Sequence, residues 1–254
     1  MSWDPTQYLA FADHRQRPAL ELLTRVPLDA PQHVVDLGCG TGSATRAMRR
    51  RWPDADLVGV DGSPDMLDRA RADLPDATWI EADIGVWAPG APVDLLYSNA
   101  ALHWLDGHPG LFPKLAGHLT KGGCLAIQMP ANFTAPSHQL MYDVALDGPW
   151  RPTLEPLIVD PPTAPMADYY DILSPVTAEI DIWTVEYLQA LTGENPVAEF
   201  TKGTWLRRFL DALDEPLRSE FEAAYRARIV DAYPRREDGV TLFPFRRLFI
   251  VAIR

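Results

Sequence analysis

The sequence predicts a three-layer α/β sandwich around a mostly parallel sheet, finished by a late antiparallel strand. Three observations carry this reading. From residue 33 to about residue 130, short apolar runs alternate with helix-forming stretches. The first run leads into Asp36-Leu37-Gly38-Cys39-Gly40-Thr41-Gly42-Ser43, a glycine turn set between a strand and a helix. The chain then finishes on Leu248-Phe249-Ile250-Val251-Ala252-Ile253, an apolar run able to insert beside an existing strand.

Each element follows from local chemistry. His33 to Leu37 reads as the first strand, with a helix from Ser43 to Arg51. Leu57 to Asp61 is the second strand. Ser63-Pro64-Asp65 then supplies a cap residue, a first-turn proline and an early acid, so a helix starts there and runs to Ala72. Thr78 to Asp83 and Val93 to Asn99 form strands three and four. A helix over 110–119 leads through Lys121-Gly122-Gly123 into strand five, Cys124 to Met129. In such a sheet, ligands bind beyond the carboxyl ends of the strands.

After residue 130 the pattern loosens. Seven prolines between Pro149 and Pro175 forbid a long helix or a central strand, and imply an ordered excursion over the site, with Trp150, Leu154, Tyr169 and Ile172 to pack. Ile180 to Val185 alternates as a strand, and a short helix is expected over Glu186 to Leu191. Helices follow over 205–213 and 217–232, broken at Asp214-Glu215-Pro216. Thr241 to Phe243 and Arg247 to Arg254 make the late strand. The expected organisation is a single domain over 1–254. It comprises an amino-terminal cap (1–30), a cofactor-binding core (31–130), substrate-side helices and loops that include one strand (131–235), and a closing strand (236–254).

Composition removes whole classes of function. Thirty-five acidic residues against 23 basic ones give a net charge of -12. That opposes nonspecific nucleic-acid binding, which needs a cationic surface to displace phosphate counterions. No apolar run approaches the ~20 residues of a membrane span, and the start lacks a signal-peptide layout. A cytoplasmic protein with no obligate protein partner is therefore expected. Two cysteines, Cys39 and Cys124, and six histidines show no metal-ligand spacing, so no metal is expected.

The glycine turn is the sharpest chemical signal. Glycine admits unusual dihedrals and lets a ligand touch the main chain. Asp61 closes the next strand, 23 residues after Gly38, where a carboxylate can accept two ribose hydroxyls. Asp83 and Ile84 stand at the end of strand three, in reach of an adenine ring. A dinucleotide would place its diphosphate at the turn. Asp36 repels a diphosphate and suits the positively charged methionine end of S-adenosylmethionine, which is therefore the expected cofactor.

Asp36 to Gly42 resembles motif I of the class I S-adenosylmethionine-dependent methyltransferases, and Val58-Gly59-Val60-Asp61 resembles their ribose-binding strand. Over nearly the whole chain the sequence resembles the trans-aconitate 2-methyltransferase family. The resemblance rests on Trp3-Asp4-Pro5 with Tyr8, Phe11-Ala12-Asp13 and Arg15-Gln16-Arg17-Pro18. It extends to Asn99-Ala100-Ala101-Leu102-His103-Trp104, Lys202-Gly203-Thr204 and Phe243-Pro244-Phe245-Arg246-Arg247. The chain departs from the family pattern at Trp205-Leu206-Arg207-Arg208, where glycine and Arg-Pro are expected, a change that touches a loop or pocket wall.

The resemblance implies a Rossmann-like class I fold and a cofactor site built from Asp36, Gly38, Cys39, Gly40, Gly42, Asp61, Met66, Asp83, Ile84, Asn99, Ala100 and Trp104. It implies a lid of Trp3, Tyr8 and Phe11 and a small anionic carboxylic acid as substrate. The candidate acid-binding residues are Trp3, Tyr8, Arg15, Arg17, His103, Lys202, Thr204, Arg207, Arg246 and Arg247. In a regular strand Arg246 and Arg247 face opposite sides. His103 can donate a hydrogen bond or carry positive charge. The implied reaction is O-methylation of one carboxylate, for which no catalytic base is required, since the attacking oxygen is already ionised at neutral pH. Another small-molecule O- or N-methyltransferase, a non-catalytic S-adenosylmethionine-binding regulator and an NAD oxidoreductase remain the alternatives at this point.

Overall fold

The computed structural model describes residues 12–254, with side chains from residue 16 onward. Trp3, Tyr8 and Phe11 lie outside the described residues, as does the side chain of Arg15. Helix α1 (Ala12–Arg25) precedes the sheet. Its Ala19, Leu22 and Leu23 are buried, and the buried Tyr97 hydroxyl donates to the Ala19 carbonyl at 2.6 Å.

Five strands then run parallel: β1 (His33–Leu37), β2 (Asp56–Asp61), β3 (Thr78–Glu81), β4 (Val93–Asn99) and β5 (Leu119–Pro130). Helices α2 (Ser43–Arg51), α3 (Pro64–Asp73) and α4 (His108–Gly117) connect them. Ser63 occupies the N-cap position of α3 and Pro64 its first turn, although the serine side chain makes no capping bond. Two further strands, β6 (Glu179–Thr192) and β7 (Val240–Ile253), complete a seven-stranded sheet in the order β3-β2-β1-β4-β5-β7-β6. β7 is antiparallel to both of its neighbours, so the apolar carboxyl terminus inserts between β5 and β6.

Alternation along the strands divides the core into layers. Tyr97, Ala126, Phe249 and Val251 pack with α1 and α2 on one face. Leu96, Ile127, Leu248 and Ile250 pack on the other with Phe112 of α4. Tyr169 and Leu173 of α7 (Met166–Leu173) join this second face.

The remaining helices form a cap: α5 (Pro136–Leu146), α6 (Arg151–Leu154), α8 (Pro196–Lys202), α9 (Arg207–Leu210) and α10 (Leu217–Ala232). They surround an aromatic-rich core that includes Phe243 and Phe245 of β7 and Leu191 of β6. The two strands thus extend past the sheet and carry the cap on their ends.

Three expectations need correction. No helix forms over Glu186–Leu191; β6 is one continuous strand of 14 residues. Its inner positions Tyr187, Gln189 and Leu191 are buried while Glu186, Leu188 and Ala190 are exposed, and each pairs with a residue of β7. This long ladder overrides a weak local helix preference. The helix expected over 205–213 contracts to α9 within turns. The late strand, read as two pieces, is one. Pro244 is tolerated because β5 pairs β7 only as far as Arg247, so at Pro244 the strand has a ladder partner on one side alone. The proline-rich segment forms α6, a 3₁₀ turn and α7, as the apolar residues between its prolines suggest.

Candidate functional site

The glycine turn follows β1 and joins the ends of β1, β2 and β4. Gly38 (φ +77°) lies so close to the chain after β4 that a Cβ there would sit 2.2 Å from Ala101 Cβ. Gly42 (φ +71°) is similarly confined by the Trp79 ring, at 2.5 Å. Gly40 (φ +53°) is different: an added Cβ would meet nothing within 4 Å. The turn is therefore locked at both ends and open in the middle, where main chain faces free space. Cys39 is buried, with its sulfur packed toward Gly59.

Two acids flank the turn. Asp61 accepts the Gly40 N–H at 2.8 Å with one oxygen and the Ser63 N–H at 2.9 Å with the other, so the carboxylate is fixed at the mouth of β2. Asp36 is buried and accepts the Thr45 hydroxyl at 2.6 Å. Burial, reinforced by the charge of Asp61, pushes its pKa up to about 7 against the pull of that hydrogen bond. A cation placed beside it would restore full ionisation.

Beyond β3, Asp83 accepts the Gly85 N–H at 2.8 Å and edges a shallow depression with Val86, Leu105 and Lys114. Ile84 packs toward Gly38, while Met66 is buried in the first turn of α3. These residues lie at or just beyond the carboxyl ends of β1, β2 and β3.

A second, deeper pocket opens where β4 ends. Ala100 adopts φ +54° and donates its N–H to Gln128 O at 2.9 Å, turning the chain across the top of the sheet. Such a conformation costs a non-glycine residue about 1 kcal/mol or more. The turn leaves Asn99 Oδ1 buried without a partner among the described residues and delivers His103 and Trp104 to the pocket wall. Pro130 and Phe133 enter from the end of β5, and His138 from the first turn of α5. Thr201, Thr204 and Trp205 enter from α8 and its exit, and Phe245 and Arg247 from β7. Trp104 stacks on Trp205 at 5.3 Å, and Phe133 meets Trp205 edge-on at 5.0 Å.

Arg247 is only 4% exposed. Its Nη1 donates to Gln128 Oε1 at 3.4 Å and its guanidinium lies 4.7 Å from the Phe245 ring centre. His103 and His138 share the wall with it. Burial, with the charge of Arg247 adding to it, pushes the His103 pKa down to about 3. Burial pushes His138 down to about 4. Both imidazoles are neutral at physiological pH, so His103 offers hydrogen bonding and no positive charge. Arg247 is the one permanent cation among the described residues lining this pocket.

Among the described residues, the other candidate cations do not reach the wall. Lys202 points to Glu222, at 2.7 and 2.9 Å. Arg207 pairs with Asp211 at 3.4 Å. Arg246 pairs with Glu186 at 3.3 Å on the exposed side of β7, opposite to Arg247. Arg17 pairs with Glu21 at 2.7 Å and lies over the Tyr187 ring. Trp104, a cofactor candidate in the sequence, lines this aromatic pocket together with Asn99 and Ala100.

Sequence reasoning missed Phe133, His138, Thr201, Phe245 and the supporting Gln128. Their only local signals are a helix start at Pro136-Ser137-His138 and a neighbouring arginine pair. The departure at Trp205 does fall on the pocket wall. Among the described residues no group of His, Cys, Asp or Glu can hold a metal, and no helix is long and apolar enough to cross a membrane.

Comparison with known proteins places these features in context. Residues 34–123 match a family described as a methyltransferase domain. The trans-aconitate 2-methyltransferase of Azoarcus sp. strain BH72 is 48% identical over 253 residues, covering 100% of this chain and 99% of the relative. That of Paracidovorax citrulli is 46% identical, covering 99% and 98%. Among solved structures, an S-adenosylmethionine-dependent methyltransferase from Thiobacillus denitrificans, in complex with S-adenosylhomocysteine, superposes with TM-score 0.58 at 18% identity over 100% of both chains. The Bacillus subtilis YcgJ protein superposes with TM-score 0.61 at 12% identity over 94% of this chain and 98% of its own. These two show a shared fold.

Proposed function

We infer the chemistry from one premise: the chain belongs to the trans-aconitate 2-methyltransferase family. It is an S-adenosylmethionine-dependent methyltransferase of the class I, Rossmann-like kind. Its proposed reaction is O-methylation of one carboxylate of trans-aconitate or a closely related small polycarboxylic acid, giving a monomethyl ester.

The cleft suits the methyl donor. The open space beside Gly40, the fixed carboxylate of Asp61 and the unpartnered Asn99 Oδ1 are features such a donor can meet. In this reading Asp61 holds the ribose, Asp83 and Ile84 border the adenine, and Asp36 orients the cationic methionine end. S-adenosylmethionine, when bound, supplies a methyl group on a sulfonium sulfur that an acceptor oxygen displaces in line. The remaining tasks fall to the pocket. The aromatic wall of Trp104, Phe133 and Trp205 excludes water from the acceptor, and Arg247 neutralises a carboxylate that does not react. No base is needed, because the nucleophile is ionised at neutral pH.

The observation that carries the reading is the buried Arg247 in the same pocket as Asn99 and Ala100, the residues expected beside the donor. A methyl-transfer assay with trans-aconitate, cis-aconitate, isocitrate, citrate and simpler acids tests it, with mass spectrometry and NMR of the product. A singly methylated acid ester is expected. Turnover confined to amines or phenols would overturn the assignment.

A further inference from the structure

The residue that the pocket orients most deliberately is His138, which no part of the reaction above uses. A chain of hydrogen bonds fixes its ring. The Arg246 N–H donates to Asn132 Oδ1 at 3.2 Å, which sets the direction of the Asn132 amide. Asn132 Nδ2 therefore points at Ser137 Oγ, at 3.4 Å, and can only donate to it. Ser137 Oγ also lies 3.1 Å from His138 Nδ1. Among the described residues Nδ1 is the one acceptor within hydrogen-bond distance of the serine hydroxyl, so the arrangement that uses the Ser137 proton has Nδ1 accepting and the ring proton on Nε2. Phe133 packs edge-on against the imidazole at 5.1 Å and holds its plane.

All three polar members of this relay are buried: Asn132 at 5%, Ser137 at 0% and His138 at 5% exposure. Buried polar networks are costly unless each member is satisfied. Here every polar atom with a defined direction is used except Nε2, which has no protein partner among the described residues, on a residue that lines the acceptor pocket. The relay thus ends at the Nε2 of a residue that lines this pocket.

We propose that His138 is a specificity-determining residue that donates its Nε2–H to a carboxylate of the acid that does not react, with Ser137 and Asn132 as the positioning residues that hold its tautomer. The proposal rests on the reading of this pocket as the acid site. It assigns a division of labour: the guanidinium of Arg247 compensates charge, while His138 measures where a further carboxylate lies. Because burial keeps the imidazole uncharged, it selects by direction. A donor at a fixed position favours acids carrying a second carboxylate at the matching distance over monocarboxylates, which leave Nε2 unpaired.

The test pairs kinetics with spectroscopy. His138→Leu removes the donor, and His138→Gln restores an N–H at a similar reach. In His138→Leu, kcat/KM for trans-aconitate is expected to fall about 10- to 100-fold, the range for losing a hydrogen bond to a charged group. The loss should lie mainly in KM, with affinity for S-adenosylmethionine unchanged. His138→Gln should recover part of that loss, and a monocarboxylic acceptor should respond to neither variant. Ser137→Ala should give an intermediate rise in KM. Because the leucine variant can fail to fold, ¹⁵N NMR of the wild-type imidazoles supplies an independent readout. The Nε2–H tautomer is expected for His138, with its Nε2 resonance moving when trans-aconitate joins the complex with S-adenosylhomocysteine. An Nδ1–H tautomer, or a resonance unmoved by saturating acid, would overturn the proposal. So would folded variants with wild-type KM while the wild-type enzyme turns the acid over, and that result would leave acid methylation standing. Absence of wild-type turnover on every acid would sink the acid-site reading and this role with it.

Discussion

The two halves of the site solve the same problem, a charged ligand in a protein interior, with opposite materials. The glycine-turn side is acidic and local: Asp36 and Asp61 flank the turn at Gly40, Asp83 follows β3, and 48 residues of sequence contain all of it. The acceptor pocket is aromatic and built from side chains that come from four separate stretches between Asn99 and Arg247. Burial suppresses ionisation on both sides but in opposite senses, raising the Asp36 pKa to about 7 and lowering His103 and His138 to about 3 and 4. A cation beside Asp36 would restore its charge, and on the pocket side the permanent charge is that of Arg247. A chain of net charge -12 can still bind a polyacid, because local placement of one buried arginine decides the matter.

The largest effects should come from crossing the two halves. Arg247→Lys keeps a charge but loses the planar fork, and is expected to lower kcat/KM for the polyacid by about 100-fold with donor affinity changed less than about twofold. Asp61→Ala should do the reverse, weakening S-adenosylmethionine by about tenfold or more in calorimetry with acid KM little altered. Should Arg247→Lys weaken donor and acid alike, the division between cleft and pocket is wrong.

The next contrast is in pH. His103 and His138 are neutral in the folded state, whereas unfolded imidazoles titrate near 6.5. Their contribution is therefore complete above about pH 6.5 and lost as pH falls, each costing about 2 kcal/mol by pH 5. Asp36 works the other way: its contribution is complete below about pH 4 and lost as pH rises toward about 7. Between pH 4 and about 7 the two contributions therefore slope in opposite directions, so thermal unfolding from pH 4 to pH 8 should show a shallower rise with pH in His138→Leu and a steeper one in Asp36→Asn. Asp36→Asn should also raise the melting temperature at pH 8 while weakening donor binding. Both variants changing that slope in the same direction would contradict the opposed senses of burial.

The smallest effects sharpen the boundary of the pocket. Arg246→Lys and Lys202→Gln alter paired charges away from the wall, at Glu186 and Glu222. Exposed or partly exposed pairs are worth about 1 kcal/mol at most. Steady-state kinetics should keep kcat/KM within about twofold of wild type in both. A polyacid-specific loss in Lys202→Gln, comparable to that of Arg247→Lys, would mean that the lysine leaves Glu222 for the substrate.

How much was legible follows from how each part is built. β1 to β5, their helices and the glycine turn are local patterns, so periodicity, capping residues and glycine spacing announce them. That Leu248 to Ile253 joins the sheet beside an existing strand was legible too, from its apolar run, whereas its place between β5 and β6 was not. The alternation that separates Arg246 from Arg247 is a property of any strand. What only the tertiary structure decided is everything that depends on a partner distant in sequence. β6 over Glu186–Leu191 is a strand because β7 pairs with it, and Pro244 is harmless because β5 stops short of it. Lys202 and Arg207 read as acid ligands by charge, yet nearer carboxylates claim them. His138 carried no signal as a pocket residue, since its role arises from Asn132, Ser137 and Phe133 meeting around it. Local sequence sets dihedrals and faces; which side chains converge is set by packing, and the acid pocket is made of convergence.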